Sequence, residues 1–586
     1  MKRSYRATIL LLVCLSLWAC AAQQRAPVEP PATPPAQSVQ AEARGRSLFY
    51  SSASDDLNRL QDFFHPSLKA NEKVFAGYAN QVRGFGAGAS YPQIWLRDSA
   101  TIIPVSRYYY TLEYLTSWIE EHLAHQGRDG QLNDWIAAGA AHNFSAGAPL
   151  VREVYKGKEA GTAGQPVVIS ADKNSTEADQ ETSAVNAAYQ VFQITGDRNW
   201  LNRSINGRSL VSRLDDSLEY LLKQRFDASY GLVTNAFTAD WGDVSPTYPD
   251  QRAIYLDPKT PTVVGLYTNA LFYRAATQLA EIHEAVGGAE RAGYWRAKAA
   301  MIRANINKHL WQEERGFYKL HLLLTPALLG NAPDDSDIFA MGGNAVAALY
   351  GVAEDRQVKR ILEVAERRQR QYAVSTIGGT LLPPYPKGFF KHPVVSEEYA
   401  YQNGGQWDWF AGRLLLAEFE RGYSAQAYRQ LLEVARKCVR NNGLYEWNDK
   451  SGEARGSANY AGSAGVMGAA IIQGLFGVYL SSARLDLRIR LMERAGRIYL
   501  RQPATDSYLS YQYSYDEPGG RISLSYESNA KGEGRACILL PQGVRPSELL
   551  LDGSNRSYTE ETVGEDRYAC ASTDWKPHKL ELRVAR

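Results

Sequence analysis

The decapeptide YQNGGQWDWF, Tyr401 to Phe410, gathers amides, a carboxylate and indoles around a pair of glycines. Asn403, Gln406 and Asp408 each need hydrogen-bond partners if buried, and Gly404-Gly405 weakens any helix that starts there. A ligand rich in hydroxyls and apolar ring faces satisfies all of these groups at once. On that reading Trp407 is a stacking platform and Asp408 a hydroxyl acceptor; the alternative is an aromatic loop end without a ligand. The stretch IWLRDSA, Ile94 to Ala100, repeats the mixture. Trp95 needs burial or a ligand, while Arg97 and Asp98 read either as sugar-hydroxyl partners or as an ion pair at a helix start. STEADQETS, Ser175 to Ser183, carries Asp179 and Glu181, groups suited to binding or capping rather than catalysis.

Such loops need a rigid frame, and the sequence between them is helical. In AYRQLLEVARKCVR, Ala427 to Arg440, the residues Ala427, Leu431, Val434, Ala435 and Cys438 recur at three- and four-residue steps opposite a charged face. The segments from Ser217 and Val358 read the same way. Between them lie helices apolar or small on nearly every side, from Ser183, Thr268, Gly343 and Ala464. A helix without a wet face must be buried all round. Roughly six alternating pairs predict an all-α closed toroid of helical hairpins, an (α/α)6 barrel, with an irregular helical bundle as the plainer alternative. In the toroid the polar outlier segments all precede inner helices, so they share one rim and one cavity, where sites usually sit.

Four of these segments resemble the six-hairpin (α/α)6-barrel glycosidases of the glucoamylase and trehalase clan, above all the bacterial glucosidase I-like enzymes. Trp95-Leu96-Arg97-Asp98 is similar to their Trp-x-Arg-Asp segment, and Tyr401 to Trp407 to their Tyr-x-Asn-Gly-x-x-Trp loop. TADWGDVSP, Thr238 to Pro246, resembles the segment with the general-acid aspartate, and GLYEWNDKSGEARG, Gly443 to Gly456, that with the general-base glutamate. The resemblance implies an inverting glycoside hydrolase in which Asp243 is the acid and Glu446 the base, with Trp95, Arg97, Asp98, Glu181, Trp241, Asn403, Gln406, Trp407 and Asp408 binding the sugar. Trp241 beside Asp243 would keep that carboxyl protonated by desolvation. Asp240 competes with Asp243, and Glu446 has a solvated turn glutamate as its plain alternative. The implied substrate is a terminal sugar, an α-glucoside first and an α-L-rhamnoside or trehalose-like sugar behind it. A glycoside phosphorylase and a non-catalytic glycan-binding envelope protein are the competing classes.

The ends of the chain add location. Lys2, Arg3 and Arg6 precede an apolar run that closes on Leu17-Trp18-Ala19-Cys20, a signal that resembles a bacterial lipobox with Cys20 lipidated. Residues 1–20 are thus expected to be a lipoprotein signal, 21–45 a Pro-, Ala- and Gln-rich tether, 46–485 the barrel, and 486–586 a small antiparallel β-sandwich. The expected location is the outer membrane of the cell envelope, held there only through the lipid. Net charge is +2, which points away from nucleic acid. No Cys/His cluster has metal-ligand spacing and no phosphate loop occurs, so no cofactor or metal is expected, and the protein is expected to be a monomer. Of the three cysteines beyond the signal, Cys537 and Cys570 are placed to pair in an oxidising compartment, with Cys438 on a helix.

Overall fold

The computed structural model describes residues 35–139, 152–158, 166–330 and 334–585. The signal segment with Cys20 and most of the expected tether lie outside the described residues. Within the tether's last stretch, Pro35–Glu42 is helical, and Val39 and Ala43 are buried against Phe49 and Tyr499. Among the described residues, no helix is long and apolar enough to cross a membrane.

The expectation of an all-α body with a small β appendage is overturned. The chain is 39% helical and 27% strand, with sheets distributed along its length. The segments between helices pair into ladders of their own: Ile94–Trp95, Trp135–Ala138, Pro166–Asp172 and Arg152–Lys158 form a four-stranded sheet, and a further three-stranded sheet is built around Thr262–Gly265. Many of these strands are only two to four residues long. At that length there is no room for the alternation that marks a strand in sequence.

The C-terminal β region is also larger than expected and not wholly antiparallel. Its seven-stranded sheet recruits Leu48–Ser51, from ahead of all the larger helices, as the edge partner of Ala495–Gln502. The five-stranded sheet begins at Val478–Leu480 and contains a parallel pair, Leu485–Ile489 beside Gly534–Leu539. Cys537 and Cys570 face each other on neighbouring strands and are joined by a disulfide. Arg490, fully buried, donates to the carbonyls of Gln473 and Gly474. It thereby satisfies acceptors at the end of the last helix and ties that helix to the sheet.

Six helices nevertheless meet in sequence around a ring: Leu96–Ser106, Gln180–Thr195, Leu266–Ala285, Met341–Leu349, Asp408–Glu420 and Ala461–Ala469, with the last returning to the first. Their small residues allow close approach on every side, and the Met341–Leu349 helix buries all of Met341 to Ala348. Helices with one wet face pack outside them. Ser424–Arg440 is one, burying Ala427, Leu431, Val434, Ala435 and Cys438 as the periodicity required.

Candidate active site

The segments that lead into the ring helices converge on a cavity of about 240 Å³. Of the residues singled out from the sequence, Trp95, Arg97, Asp98, Trp241, Asp243, Trp407 and Glu446 line it. Reasoning from motifs alone missed Tyr91, Asp134 and Asn174, which also line it and stand in stretches with no unusual composition.

Asp243 is clamped by its backbone and left open at its side chain. Its carbonyl accepts from Asn174 Nδ2 at 3.1 Å and Thr176 Oγ1 at 2.9 Å, and its N–H donates to Gln402 Oε1 at 3.4 Å. Among the described residues its buried Oδ1 has no hydrogen-bond partner. Asp240 takes a different place. It sits in the left-handed region, φ 62°, buried, and its Oδ2 accepts the Gly343 N–H at 2.9 Å at the start of the Met341–Leu349 helix. A Cβ on Gly342 would fall 2.5 Å from that oxygen, so glycine is what admits the carboxylate. Burial pushes the Asp240 carboxyl up to about 7 in spite of the helix N–H groups. Protonation alone would therefore select Asp240 as a proton donor. By position the two differ: Asp243 lines the cavity, whereas Asp240 does not and caps a helix instead.

Glu446 is held by a hairpin, Tyr445–Asn448 against Ala454–Ala458, whose register slips between Tyr445 and Trp447. That irregularity re-aims the glutamate. Gly456, φ 67°, is needed opposite: a Cβ there would come within 2.7 Å of Glu446 Oε2. Tyr91 Oη donates to Oε1 at 2.6 Å and the Ser457 N–H to Oε2 at 2.9 Å. Burial raises the Glu446 pKa, the nearby Asp98 and Asp243 charges add to it, and the two hydrogen bonds oppose it. A base must be ionised to act, so with Glu446 in that role the acid limb of kcat/KM should lie above the ~4.3 of an ordinary glutamate. Tyr91→Phe removes a bond to the ionised form and should move that limb upward. A pH profile of kcat/KM checks this, and a downward move contradicts it.

Arg97 forms the polar floor. Nη2 bonds Glu177 at 2.7 Å, Nη1 reaches Asp179 and the Trp241 carbonyl, each at 3.2 Å, and the guanidinium lies 5.7 Å from the Trp241 ring centre. Asp134 joins this buried group, where burial and then the like charge of Asp179 push its pKa up against the pull of Arg97. Asp98, raised by burial, accepts from Tyr460 Oη at 2.7 Å. The group is only partly satisfied: among the described residues Arg97 Nε, Asp134 Oδ1 and Asp179 Oδ1 are buried without a hydrogen-bond partner.

Four residues expected to touch sugar serve the scaffold instead. Glu181, fully buried, binds Lys173 Nζ at 2.8 Å and the Leu132 N–H at 3.0 Å. Asp408 pairs with Lys437, both buried. Gln406 accepts from the Thr376 N–H and hydroxyl at 2.9 and 2.7 Å, and its backbone bridges to Asn448, tying the decapeptide to the Glu446 strand. Asn403 exchanges bonds with the backbone of Tyr385, accepting from its N–H at 2.9 Å and donating to its carbonyl at 3.1 Å. None of the four lines the cavity. A buried amide satisfies a loop's backbone with the same groups that would bind hydroxyls, so composition could not separate the two uses. Asn403→Ala should lower stability by about 1–3 kcal/mol, because it strands both backbone groups, while kcat/KM of the folded fraction stays near wild type. Urea denaturation and kinetics on one preparation check both halves.

Trp407 does line the cavity, yet it is 1% exposed and wedged between Trp241, Tyr401 and Tyr460, with Nε1 donating to the Tyr401 carbonyl at 3.0 Å. It is wall and core together, so truncation would cost fold stability as well as any ring contact.

Residues 91–463 match the mannosylglycerate hydrolase MGH1-like glycoside hydrolase domain. No curated protein sequence matches the chain. Among solved structures, the α-L-rhamnosidase of Dictyoglumus thermophilum superposes with TM-score 0.58 at 12% identity, covering 92% of this chain and 50% of that one. The GH78 family rhamnosidase of Bacillus sp. GL1 gives 0.55 at 15%, covering 85% and 43%. The chain thus spans about half the length of these rhamnosidases, and at such identity the likeness is one of fold. The GH63 mannosylglycerate hydrolase of Thermus thermophilus, solved with glucose, gives 0.49 at 18% identity, over 70% of this chain and 99% of that one. The domain match takes in more than half of the chain, including every cavity residue discussed above, and on that ground the protein belongs to the MGH1-like glycoside hydrolase family.

Proposed function

We propose that the protein is an inverting glycoside hydrolase that releases a terminal α-linked hexose from a short glycoside, with Asp243 as general acid and Glu446 as general base. The observation that carries this reading is the contrast between the two carboxylates in one cavity. Asp243 has a buried oxygen with no described partner, ready to meet a glycosidic oxygen, whereas Glu446 is braced on both oxygens. Asp243 gives its proton to the leaving oxygen as the anomeric bond breaks, and Glu446 takes a proton from the water that forms the new bond. Arg97 and Asp98 hold the sugar's hydroxyls and the Trp241, Trp407 and Trp95 indoles form its walls. The small cavity favours a single terminal residue over the middle of a polymer.

An α-glucoside is the first substrate to try. The matched domain is named for mannosylglycerate hydrolysis, which puts α-mannosides on the same panel. A phosphorylase reading is disfavoured by the lining: Asp98, Asp134, Asp172, Asp243 and Glu446 crowd the cavity with carboxylates that would repel inorganic phosphate. Proton NMR of the first-formed product decides the stereochemistry. The expected result is the β-anomer from an α-substrate, without dependence on phosphate; the α-anomer or a sugar phosphate would overturn the proposal.

A further inference from the structure

The ring of helices has a second polar cavity at the end away from the catalytic mouth. Arg97, on the catalytic floor, also lines a small chamber of about 30 Å³, whose other side is formed by Thr101, Tyr267, Arg274 and Arg413. Arg274 and Arg413 line in turn a basin of about 800 Å³, bordered by Val478 to Leu480 and Arg484 of the first C-terminal strands. Helix geometry fits this order. Arg413 lies five residues into the Asp408–Glu420 helix and Arg274 eight residues into Leu266–Ala285, about 8 and 12 Å along the axis from the rim at 1.5 Å per residue.

The charge of this basin is unbalanced. It holds five arginines against two carboxylates, Glu420 and Asp486. Both carboxylates are engaged, Glu420 by Tyr479 and Asp486 by Arg484 and the Arg535 N–H. Arg413, 9% exposed, donates among the described residues only to neutral oxygens, Tyr267 Oη at 3.2 Å and Thr101 Oγ1 at 3.3 Å, and lies against the Trp409 and Phe410 rings. Arg274 goes further. Among the described residues it makes no hydrogen bond or ion pair, its Nε is buried without a partner, and its guanidinium rests against the Tyr189 and Tyr350 rings, each at 5.6 Å. Beside it Gln278 Oε1 is buried with no donor, while its Nε2 bonds Asn186 at 2.9 Å.

Two guanidinium groups held by rings and neutral oxygens, without carboxylates, cost desolvation that the protein itself does not offset. We infer that Arg274 and Arg413 form an anion site at the far end of the ring, taking a small hydroxyl-bearing oxyanion: its oxygens on the two guanidiniums, its hydroxyl on Gln278 Oε1. Hydrogenphosphate and a sugar carboxylate share that chemistry. The site lies apart from the catalytic cavity, whose acid lining repels the same ligands; Arg97 borders both, and the Thr101 hydroxyl that accepts from Arg413 donates to the Arg97 carbonyl at 2.9 Å.

Calorimetric titration of the full chain with inorganic phosphate and with gluconate, at matched ionic strength, tests this. Saturable binding of at least one is expected, and which one binds identifies the source. Arg274→Gln should weaken it tenfold or more; because Arg274 makes no hydrogen bond to the described fold, the variant should fold as wild type, which a thermal melt verifies. Absence of binding by both anions, or a less than tenfold effect of Arg274→Gln, overturns the inference.

Discussion

Asp243→Asn is expected to lower kcat/KM by about 10²–10⁴-fold on substrates with poor leaving groups, the range that general acid catalysis contributes. An alkyl or sugar leaving group must be protonated as it departs, whereas a nitrophenolate leaves without help. Activated aryl glycosides should therefore lose far less, and the slope of log kcat/KM against leaving-group pKa should steepen. The amide introduced by this substitution fits the same space, since the position is fixed through the backbone by Asn174, Thr176 and Gln402 rather than through the carboxyl. Asp240→Asn is the control. Its carboxyl caps the Met341–Leu349 helix, so it should change stability and leave the leaving-group slope as in wild type. A steepened slope in Asp240→Asn, with none in Asp243→Asn, would exchange the two assignments.

Glu446→Gln should also lose about 10²–10⁴-fold, and with a different pattern. Activation of water is required whatever the leaving group, so aryl and natural glycosides should suffer alike. The amide keeps the volume of the carboxylate and one acceptor for Tyr91 or Ser457, so the hairpin should persist. The acid limb that Glu446 sets in the pH profile should disappear with it. Full activity in this variant, or a loss confined to poor leaving groups, would remove Glu446 from the role of base.

The helices were legible because their burial is written as period: five apolar positions in Ala427 to Arg440 gave both the element and its buried face. The strands were not. Ile94–Trp95 or Phe339–Ala340 is too short to alternate, and Leu48–Ser51 finds its partner at the other end of the chain, beyond any local pattern. The cavity's position was legible from the clustered aromatic and charged outliers: Trp95, Arg97 and Asp243 all line it. Scaffold and ligand use the same groups, so composition could not place the amides of Asn403 and Gln406 or the carboxylates of Glu181 and Asp408, which lie off the cavity. Tyr91 gave no signal, since a tyrosine in GASYPQ is equally at home in any loop and only the fold brings it to Glu446.

The edge strand Leu48–Ser51 has a bearing on biosynthesis. Its hydrogen-bond partner Ala495–Gln502 leaves the ribosome only after nearly the whole ring of helices has been made. At ~5–20 residues per second the nascent chain spends tens of seconds with this strand unpaired. During that interval Phe49 and Tyr50, both buried in the finished protein, are available to any passing strand. This pairing joins an early and a late part of the folded body. A chain released prematurely before Ala495 thus carries a permanently open edge, making truncated products candidates for chaperone capture or degradation rather than for partial activity.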